Sequence, residues 1–218
     1  CGGIPIIVEN SWGEPVDPNC VEDAFRNNKN VKALAFVQAE TSTGVLSDGK
    51  TLAKIAKSNN AYSIMDAVTS LAGIPVLVDE WGVDACYSGS QKCLSCTPGL
   101  SPITFSDALM EDLKKGSRKK SQSWFLDLDL LSGYWGDSNR TYHHTAPTNS
   151  LYSLHEALLM LQEEGLENSW FRHRRNHQAL KAGLEALGLT FLVDEPYRLP
   201  QMNAVTVMPK IDEAEVRR

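Results

Sequence analysis

Apolar and polar positions follow two patterns along the first half of the chain. Continuous apolar runs, typical of strands covered on both faces of a sheet, are separated by segments whose apolar residues lie three or four positions apart, as in amphipathic helices. The runs predict strands at 4–9, 31–39, 62–66, 76–78, 83–88 and 102–105, and the periodic segments predict helices that open at Asp17 and Pro18, at 48–59 and at 107–115. This alternation predicts an α/β fold, in which a mainly parallel sheet has flanking helices on both faces.

The second half of the chain is mainly helical. Leucines recur at helical spacing over 150–164 and again over 167–187, and a glycine follows each segment, where helices often end. Short apolar runs at 189–193 and 204–208 predict strands of an α+β unit. The aromatic-rich segment 121–135 gives no clear pattern.

The length and the change of pattern suggest how the chain divides into domains. The sequence has 218 residues, enough for one large domain or for one domain with part of another. We place a boundary near Gly165, where the leucine-rich helices meet. This gives a partial large domain at 1–165 and a partial C-terminal small domain at 166–218.

Composition and charge argue against several classes of function. Hydrophobic residues make up 42% and charged residues 22%, an ordinary balance for a globular protein. The net charge is 21 − 27 = −6 and no basic stripe stands out, so no nucleic-acid partner is expected. No apolar run approaches the roughly 20 residues that cross a bilayer, and no signal peptide is visible. We therefore expect no membrane partner and a cytoplasmic protein, with peroxisome and mitochondrion as the alternatives in a eukaryote.

The five cysteines do not suggest a disulfide framework. They are an odd number at irregular spacings, which favours a reducing compartment. Cys93 and Cys96 form a C-x-x-C pattern, but zinc would need a second pair or a suitably spaced histidine cluster. We expect no metal site, and a redox role for this pair remains open.

The clearest chemical signal lies where two predicted strands end. Strand 83–88 continues through small polar residues into Lys92, and strand 62–66 ends on Asp66. Ligands of open parallel sheets bind beyond the carboxyl ends of the strands. An acid facing a protonated pyridine nitrogen and a lysine that forms an imine are what pyridoxal phosphate requires. From the pattern alone, a solvated lysine and a helix-capping acid are equally open interpretations.

Five segments, in order along nearly the whole chain, carry a resemblance to a known family. They are 40–45, 65–73, 87–92 with the Pro-Gly pair that follows, 142–145 and 164–170. On these residues the sequence is similar to class V, fold-type I pyridoxal-phosphate aminotransferases of the alanine–glyoxylate and serine–pyruvate group. The resemblance implies the fold of type I PLP transferases, with 1–165 as part of the large cofactor-binding domain. It also implies pyridoxal 5′-phosphate as cofactor and amino transfer from alanine or serine to glyoxylate or pyruvate.

The resemblance assigns the catalytic roles to two residues. In the family, the lysine that matches Lys92 forms an aldimine with the cofactor and then, as a free amine, shuttles a proton in a ping-pong cycle. The acid that matches Asp66 keeps the pyridine nitrogen protonated, so that the ring acts as an electron sink. Val68, two positions further along an extended segment, would pack on one face of the ring.

Four more positions receive binding roles from the same resemblance. Thr41 would offer its hydroxyl near the phenolic oxygen of the cofactor, and Gln91 would hydrogen-bond the phosphate. Tyr142 and Thr145 resemble a pair that reaches the phosphate of the neighbouring subunit. This pair implies a homodimer with shared active sites.

Two parts of the family pattern have no match in the sequence. The glycine- and serine-rich turn that cradles the cofactor phosphate would precede Cys1, together with the aromatic residue that stacks on the ring. The arginine that binds the substrate carboxylate would follow Arg218. The sequence is therefore expected to be an internal fragment, and activity is expected of its parent protein.

Three other functions stay open. A PLP-dependent lyase or desulfurase would need a further acid–base group or a sulfur-carrying cysteine on a mobile loop, and Cys93 and Cys96 are too close to Lys92 to reach around a substrate. Alternatively, the chain is a catalytically incompetent truncated fold module that dimerises without cofactor. A redox or metal module built on the two cysteines is the last alternative.

Overall fold

The elements of the chain alternate between strands and helices up to residue 115 and are mainly helical after it. A computed structural model describes residues 2–115, 121–136, 141–208 and 211–216. In chain order the elements are α1 (Pro18–Asn27), β1 (Ala33–Val37), β2 (Ala39–Glu40), β3 (Val45–Leu46), α2 (Gly49–Ser58), β4 (Tyr62–Asp66), α3 (Val78–Trp81), β5 (Ala85–Tyr87), β6 (Ile103–Phe105), α4 (Asp107–Lys115), α5 (Leu128–Trp135), α6 (Thr148–Glu164), α7 (Leu166–Ala186), β7 (Thr190–Phe191), β8 (Val205–Thr206) and α8 (Glu213–Val216).

The central sheet has four strands in the order β1-β4-β5-β6. Strands β1, β4 and β5 are parallel, which brings their carboxyl ends to one edge, and β6 is antiparallel to β5. The register aligns Val37, Asp66, Tyr87 and Ile103 in one row across the sheet. Residues aligned in this way point to the same face. The predicted α/β fold with a mainly parallel sheet is confirmed.

One face of the sheet packs against α1 and α2. Phe36 of β1 and Met65 of β4 point into this layer and are buried together with Val21 of α1 and Leu52 of α2. The period of two along the strands and the helical period along α1 and α2 bring these side chains into one core. Packing of this core fixes the end of β4, and therefore the position of Asp66.

The opposite face of the sheet is more open. Val37, Tyr87 and Ile103 are 36%, 40% and 39% exposed, respectively. The sequence predicts helices on both faces of the sheet. Within the described residues, α1 and α2 cover one face. The row that contains Asp66 is therefore accessible to a ligand or to further polypeptide.

Two predicted strands are wrong. Residues 4–9 have no regular structure, and Ile4 is 93% exposed, because none of the described strands pairs with this segment. The run 76–78 leads into helix α3, whose Val78 and Trp81 lie three positions apart and both pack against the core. Gly82, with φ 68°, ends this short helix.

The other predicted elements are present, with ends shifted by a few residues. Strand β4 and helix α4 have the predicted limits, and helix α5 occupies the segment 121–135 that gave no pattern. Asp17 caps α1 as predicted, because its carboxylate accepts the backbone N–H of Asn19 at 2.9 Å.

Helices α6 and α7 are the longest elements and meet at Gly165. The φ of this glycine is 84°, and its N–H closes α6 on the carbonyl of Leu161. The division into 1–165 and 166–218 at this point stays a prediction. None of the helices in the described ranges is long and apolar enough to span a membrane.

Gly44, in the turn between β2 and β3, should not tolerate a side chain. Its φ is 81°, and a Cβ would lie 2.5 Å from the backbone carbonyl oxygen of Met202. We expect Gly44→Ala to lower the free energy of unfolding by about 2 kcal/mol or more, measured by denaturant titration. Gly183→Ala is the matched control, because nothing lies within 4 Å of that helical position. The control should stabilise the protein by about 0.5–1 kcal/mol, and equal effects of the two substitutions would contradict the prediction.

Candidate active site

Asp66 is the last residue of β4, and two donors fix its carboxylate. Oδ1 accepts the backbone N–H of Val68 at 2.8 Å, and Oδ2 accepts the hydroxyl of Tyr87 at 2.7 Å. The first bond turns the chain sharply after the strand, as short acidic side chains often do. The second crosses to β5, where Tyr87 is the registered neighbour of Asp66. The carboxylate is therefore oriented before any ligand binds.

The Asp66 carboxylate strongly changes the pKa of the Tyr87 hydroxyl. Its hydrogen bond to the Asp66 carboxylate, together with desolvation, raises the pKa of Tyr87 to about 12. The phenol is consequently a proton donor to Asp66 over the whole physiological range. Tyr87 belongs to the segment singled out in the sequence, but its role depends on the strand register, which the sequence does not reveal.

The pKa of Tyr87 leads to a test by titration. The raised pKa means that the hydrogen bond stabilises the fold fully below pH 10, and that this contribution is lost as the pH rises through about 12. We expect the ultraviolet titration curve of the wild type minus that of Tyr87→Phe, both without added cofactor, to have its midpoint near pH 12. A midpoint near the ordinary value of 10 would show that Tyr87 does not donate to Asp66 in solution.

The segment 88–96, called here the lysine loop, leaves β5 beside Asp66. Ser88 donates its hydroxyl to the Ala67 carbonyl at 3.0 Å, and the Ser90 N–H donates to the Leu100 carbonyl at 3.1 Å. These bonds fix the loop on both sides of its glycine. Lys92 is half-buried in this loop, and its amine makes no hydrogen bond or ion pair with any residue that the structure describes. An amine left unpaired in this way is available to a ligand.

Gly89 brings the lysine loop close to the residues that follow Asp66. A Cβ at this position would lie 3.0 Å from Oε1 of Gln91 and 3.4 Å from Cγ1 of Val68. The Gln91 side chain therefore folds back beside Val68, although these two residues belong to different strand ends. The missing Cβ keeps a small space open between them.

Thr41 lies beside the segment 67–74, called here the aspartate turn. Its hydroxyl is hydrogen-bonded to the hydroxyl of Thr69, which is buried. The Thr69 carbonyl in turn accepts the side-chain amide of Gln201 at 2.9 Å. Sequence reasoning singled out Thr41 but gave no role to Thr69 or Gln201. Thr69 lies within the resembling segment 65–73, whereas no local signal marks Gln201.

Tyr142 and Thr145 are adjacent but far more exposed. Their hydroxyls are hydrogen-bonded at 2.8 Å, and Tyr142 is 75% exposed. Their neighbour His143 stacks on Trp124 with ring centroids 4.1 Å apart. Within the described part of the chain, no hydrogen bond joins this pair to Asp66 or Lys92. The pair therefore lies exposed at the surface of the described structure.

The sequence itself matches a family of enzymes over almost its whole length. Residues 13–217 match the family model described as aminotransferase class V. The chain belongs to this family. Membership in the class V aminotransferases implies pyridoxal phosphate as the cofactor.

Two relatives of this class V aminotransferase chain have glyoxylate in their names. It is 36% identical to the (S)-ureidoglycine–glyoxylate transaminase of Bacillus subtilis, over 97% of this chain and 54% of that protein. It is 39% identical to the alanine–glyoxylate aminotransferase of Felis catus, over 90% of this chain and 48% of that protein. The chain thus spans about half the length of these curated relatives.

Solved structures agree with the family. The alanine–glyoxylate aminotransferase from Nostoc sp. superposes with a TM-score of 0.91 at 41% identity, covering 96% of this chain and 55% of that one. A cysteine desulfurase from Thermococcus onnurineus superposes with a TM-score of 0.72 at 18% identity, over 97% of this chain and 52% of that one, which shows the fold alone. The similarities confirm the fold predicted from the sequence.

The residues present fit the cofactor of the class V aminotransferases. The site combines a carboxylate held by two donors, a lysine amine without an acid partner in the described ranges, and a space beside Gly89 that a Cβ would fill. Asp66 suits a protonated ring nitrogen, and Lys92 suits a carbonyl carbon. Val68 and Gln91 lie beside Gly89, and Thr41 is hydrogen-bonded to Thr69 of the aspartate turn.

Cys93 and Cys96, which follow Lys92, are free and partly buried cysteines. Burial raises the pKa of the Cys93 thiol, and Sγ lies 3.6 Å from the Thr69 carbonyl. A partly buried thiol with a raised pKa is a poor nucleophile, which disfavours a chemical role for Cys93. The described ranges contain no group of three side chains that could hold a metal ion.

Proposed function

We propose that the full-length protein is a pyridoxal-phosphate-dependent aminotransferase that moves the amino group of a small amino acid, alanine or serine, to glyoxylate or pyruvate. The observation that carries this proposal is the Asp66 carboxylate, held by Val68 and Tyr87 at the sheet edge from which the lysine loop departs. The names of both relatives described above contain glyoxylate, which supports glyoxylate as the acceptor. Alanine occurs in one of these names, and it is the donor to test first.

Asp66 would hold a proton at the ring nitrogen of the cofactor. When bound, the cofactor supplies an electron sink for the carbanion that forms at the substrate α-carbon. The Asp66 side chain is already fixed by two hydrogen bonds, so little reorganisation is needed for it to face a cationic N–H. Tyr87 keeps Oδ2 in place from the neighbouring strand.

Lys92 would attach the cofactor and later move a proton. Its amine is unpaired among the residues that the structure describes, and the lysine loop is anchored through Ser88 and Ser90 on either side of Gly89. In the neutral form, Nζ is a nucleophile for a carbonyl carbon. Once released, the same atom can take the proton from the substrate α-carbon and deliver it elsewhere, which makes Lys92 the acid–base group.

The residues around Asp66 and Lys92 would bind and orient the cofactor. Val68 packs beside Gly89 and offers an apolar surface to one face of a flat ring. The Thr41 hydroxyl, which is hydrogen-bonded to that of Thr69, would donate to the phenolic oxygen of the cofactor. The Gln91 amide would bind the phosphate group, to which its N–H donors are suited.

A homodimer with shared active sites is part of the proposal. Tyr142 and Thr145 face outwards as a hydrogen-bonded pair, which suits a role at the phosphate of a second subunit. Their aromatic neighbours Trp124 and Phe125 are 58% and 54% exposed, a surface that association would cover.

The proposal has two further parts. The chain divides into domains at Gly165, and the protein is located in the cytoplasm, as its cysteine usage suggests.

Chemical trapping tests this assignment. The full-length protein is incubated with pyridoxal phosphate, reduced with borohydride and digested, and the labelled lysine is identified by mass spectrometry. A single label on Lys92, together with production of pyruvate from alanine and glyoxylate, is the expected result. Labels spread over exposed lysines such as Lys54 and Lys57 would contradict the site, and a specific label without pyruvate would contradict the substrates.

A further inference from the structure

Residues 198–203, near the end of the described chain, pack onto the turns that surround Asp66 and Lys92. Leu199 is fully buried, and its N–H donates to the Gly44 carbonyl at 2.8 Å. Arg198 forms an isolated antiparallel bridge with Val45. These contacts fix the segment against the turn that carries Thr41.

Gln201 reaches from this segment into the aspartate turn. Its Nε2 donates to the backbone carbonyl of Thr69 at 2.9 Å, across 132 positions of sequence. The same carbonyl faces Sγ of Cys93, the residue directly after Lys92. The Thr69 hydroxyl is bonded to that of Thr41. One peptide carbonyl therefore joins the turn after Asp66, the lysine loop and Gln201.

The Gln201 side chain packs closely beside Gly73. Its Cγ and Cδ lie 3.2 and 3.1 Å from the position that a Cβ on Gly73 would occupy. Its Oε1 is buried and has no hydrogen-bond partner among the described residues. An inverted amide would set this oxygen against the Thr69 carbonyl oxygen, which is repulsive. The Nε2–H is thus the group that the site requires.

We propose that Gln201 is a positioning residue of the cofactor site. It holds the Thr69 carbonyl, and through Thr69 it sets the Thr41 hydroxyl and the Cys93 end of the lysine loop relative to Asp66. This inference rests on the proposed function. Gln201 acts through Thr69 and is not itself a catalytic residue.

The test compares two glutamine substitutions in the full-length holoenzyme. Gln201→Met keeps the length of the side chain and removes the donor, and Gln178→Met changes an exposed glutamine of α7 as the matched control. The readout is the rate at which the visible absorbance of the bound cofactor is lost on dilution. We expect about fivefold faster loss for Gln201→Met, because one buried hydrogen bond is removed, and no change for the control.

Gln201→Glu adds a pH-dependent readout that a purely structural role would not produce. An ionised carboxylate would repel the Thr69 carbonyl, whereas a protonated carboxyl can donate its O–H to it. We expect cofactor loss, expressed relative to wild type at each pH, to approach the wild-type rate as the pH falls. If Gln201→Met does not fold, Gln201→Glu still tests the positioning role of Gln201.

The possible failures are distinguishable. Cofactor loss from Gln201→Met at the rate of Gln178→Met, or a Gln201→Glu rate that keeps a constant ratio to wild type at every pH, overturns the positioning role and leaves the proposed function intact. Absence of cofactor absorbance in the wild type overturns the proposed function and this inference with it.

Discussion

Replacing Lys92 with alanine is expected to abolish transamination and leave the protein folded. The amine makes no hydrogen bond or ion pair with the described residues, so its removal breaks no polar contact among them. It does remove the nucleophile and the proton carrier, and the rate should fall by about 10³-fold or more. A coupled assay for pyruvate measures the rate, and thermal unfolding monitored by circular dichroism measures stability.

Two controls make the Lys92 result specific. Lys92→Arg keeps the positive charge and cannot form an imine, so it should be as inactive as the alanine variant. Lys54→Ala, an exposed lysine of α2, should keep wild-type turnover. Turnover by Lys92→Ala at the wild-type rate would refute the assignment of Lys92 as the cofactor-binding lysine.

Asp66→Asn is expected to reduce activity by at least about a hundredfold with little loss of stability. The amide of asparagine can still accept the N–H of Val68 through its oxygen, and its NH₂ group can donate to the oxygen of Tyr87. What disappears is the negative charge that would face a protonated ring nitrogen. The ratio kcat/KM and the dissociation constant of the cofactor are the quantities to measure.

Asp84 offers a matched comparison from the same sheet. Its Oδ2 accepts the N–H of Ser63 at 2.9 Å and its Oδ1 accepts the hydroxyl of Ser106 at 3.0 Å, so its carboxylate joins β4 to the residues around β6. Asp84→Asn should lower the free energy of unfolding by about 1 kcal/mol and spare kcat/KM. If both asparagine variants lost activity equally, Asp66 would have no special chemical role.

The sequence predicted those parts of the fold that depend on local pattern. Strand β4 has the predicted limits because its apolar run ends on an acid, and α1 begins where an aspartate and a proline form an N-cap. The run 4–9 looks equally strand-like, but a strand needs a neighbour to pair with. Whether a neighbour exists is a property of the assembled sheet.

The candidate site also contains residues that local pattern predicts and residues that it does not. Asp66 and Lys92 stand out because each follows a predicted strand, and the ends of parallel strands share one edge. The contribution of Tyr87 depends on which residue of β5 lies opposite Asp66, and that register follows from packing of the whole sheet. Gln201 meets Thr69 only after the chain has folded back over the aspartate turn, so no window of sequence contains both partners.

The Gln201–Thr69 contact also sets an order of events during synthesis. The two residues are 132 positions apart, and a ribosome adds that many residues in roughly ten seconds. In the later part of this interval, once residue 92 has been added, the nascent chain contains Asp66 and Lys92 but lacks the amide that joins their turns. The pocket around them can take its final shape only after residue 201 has left the exit tunnel, so a cofactor molecule that arrives earlier meets a half-built site.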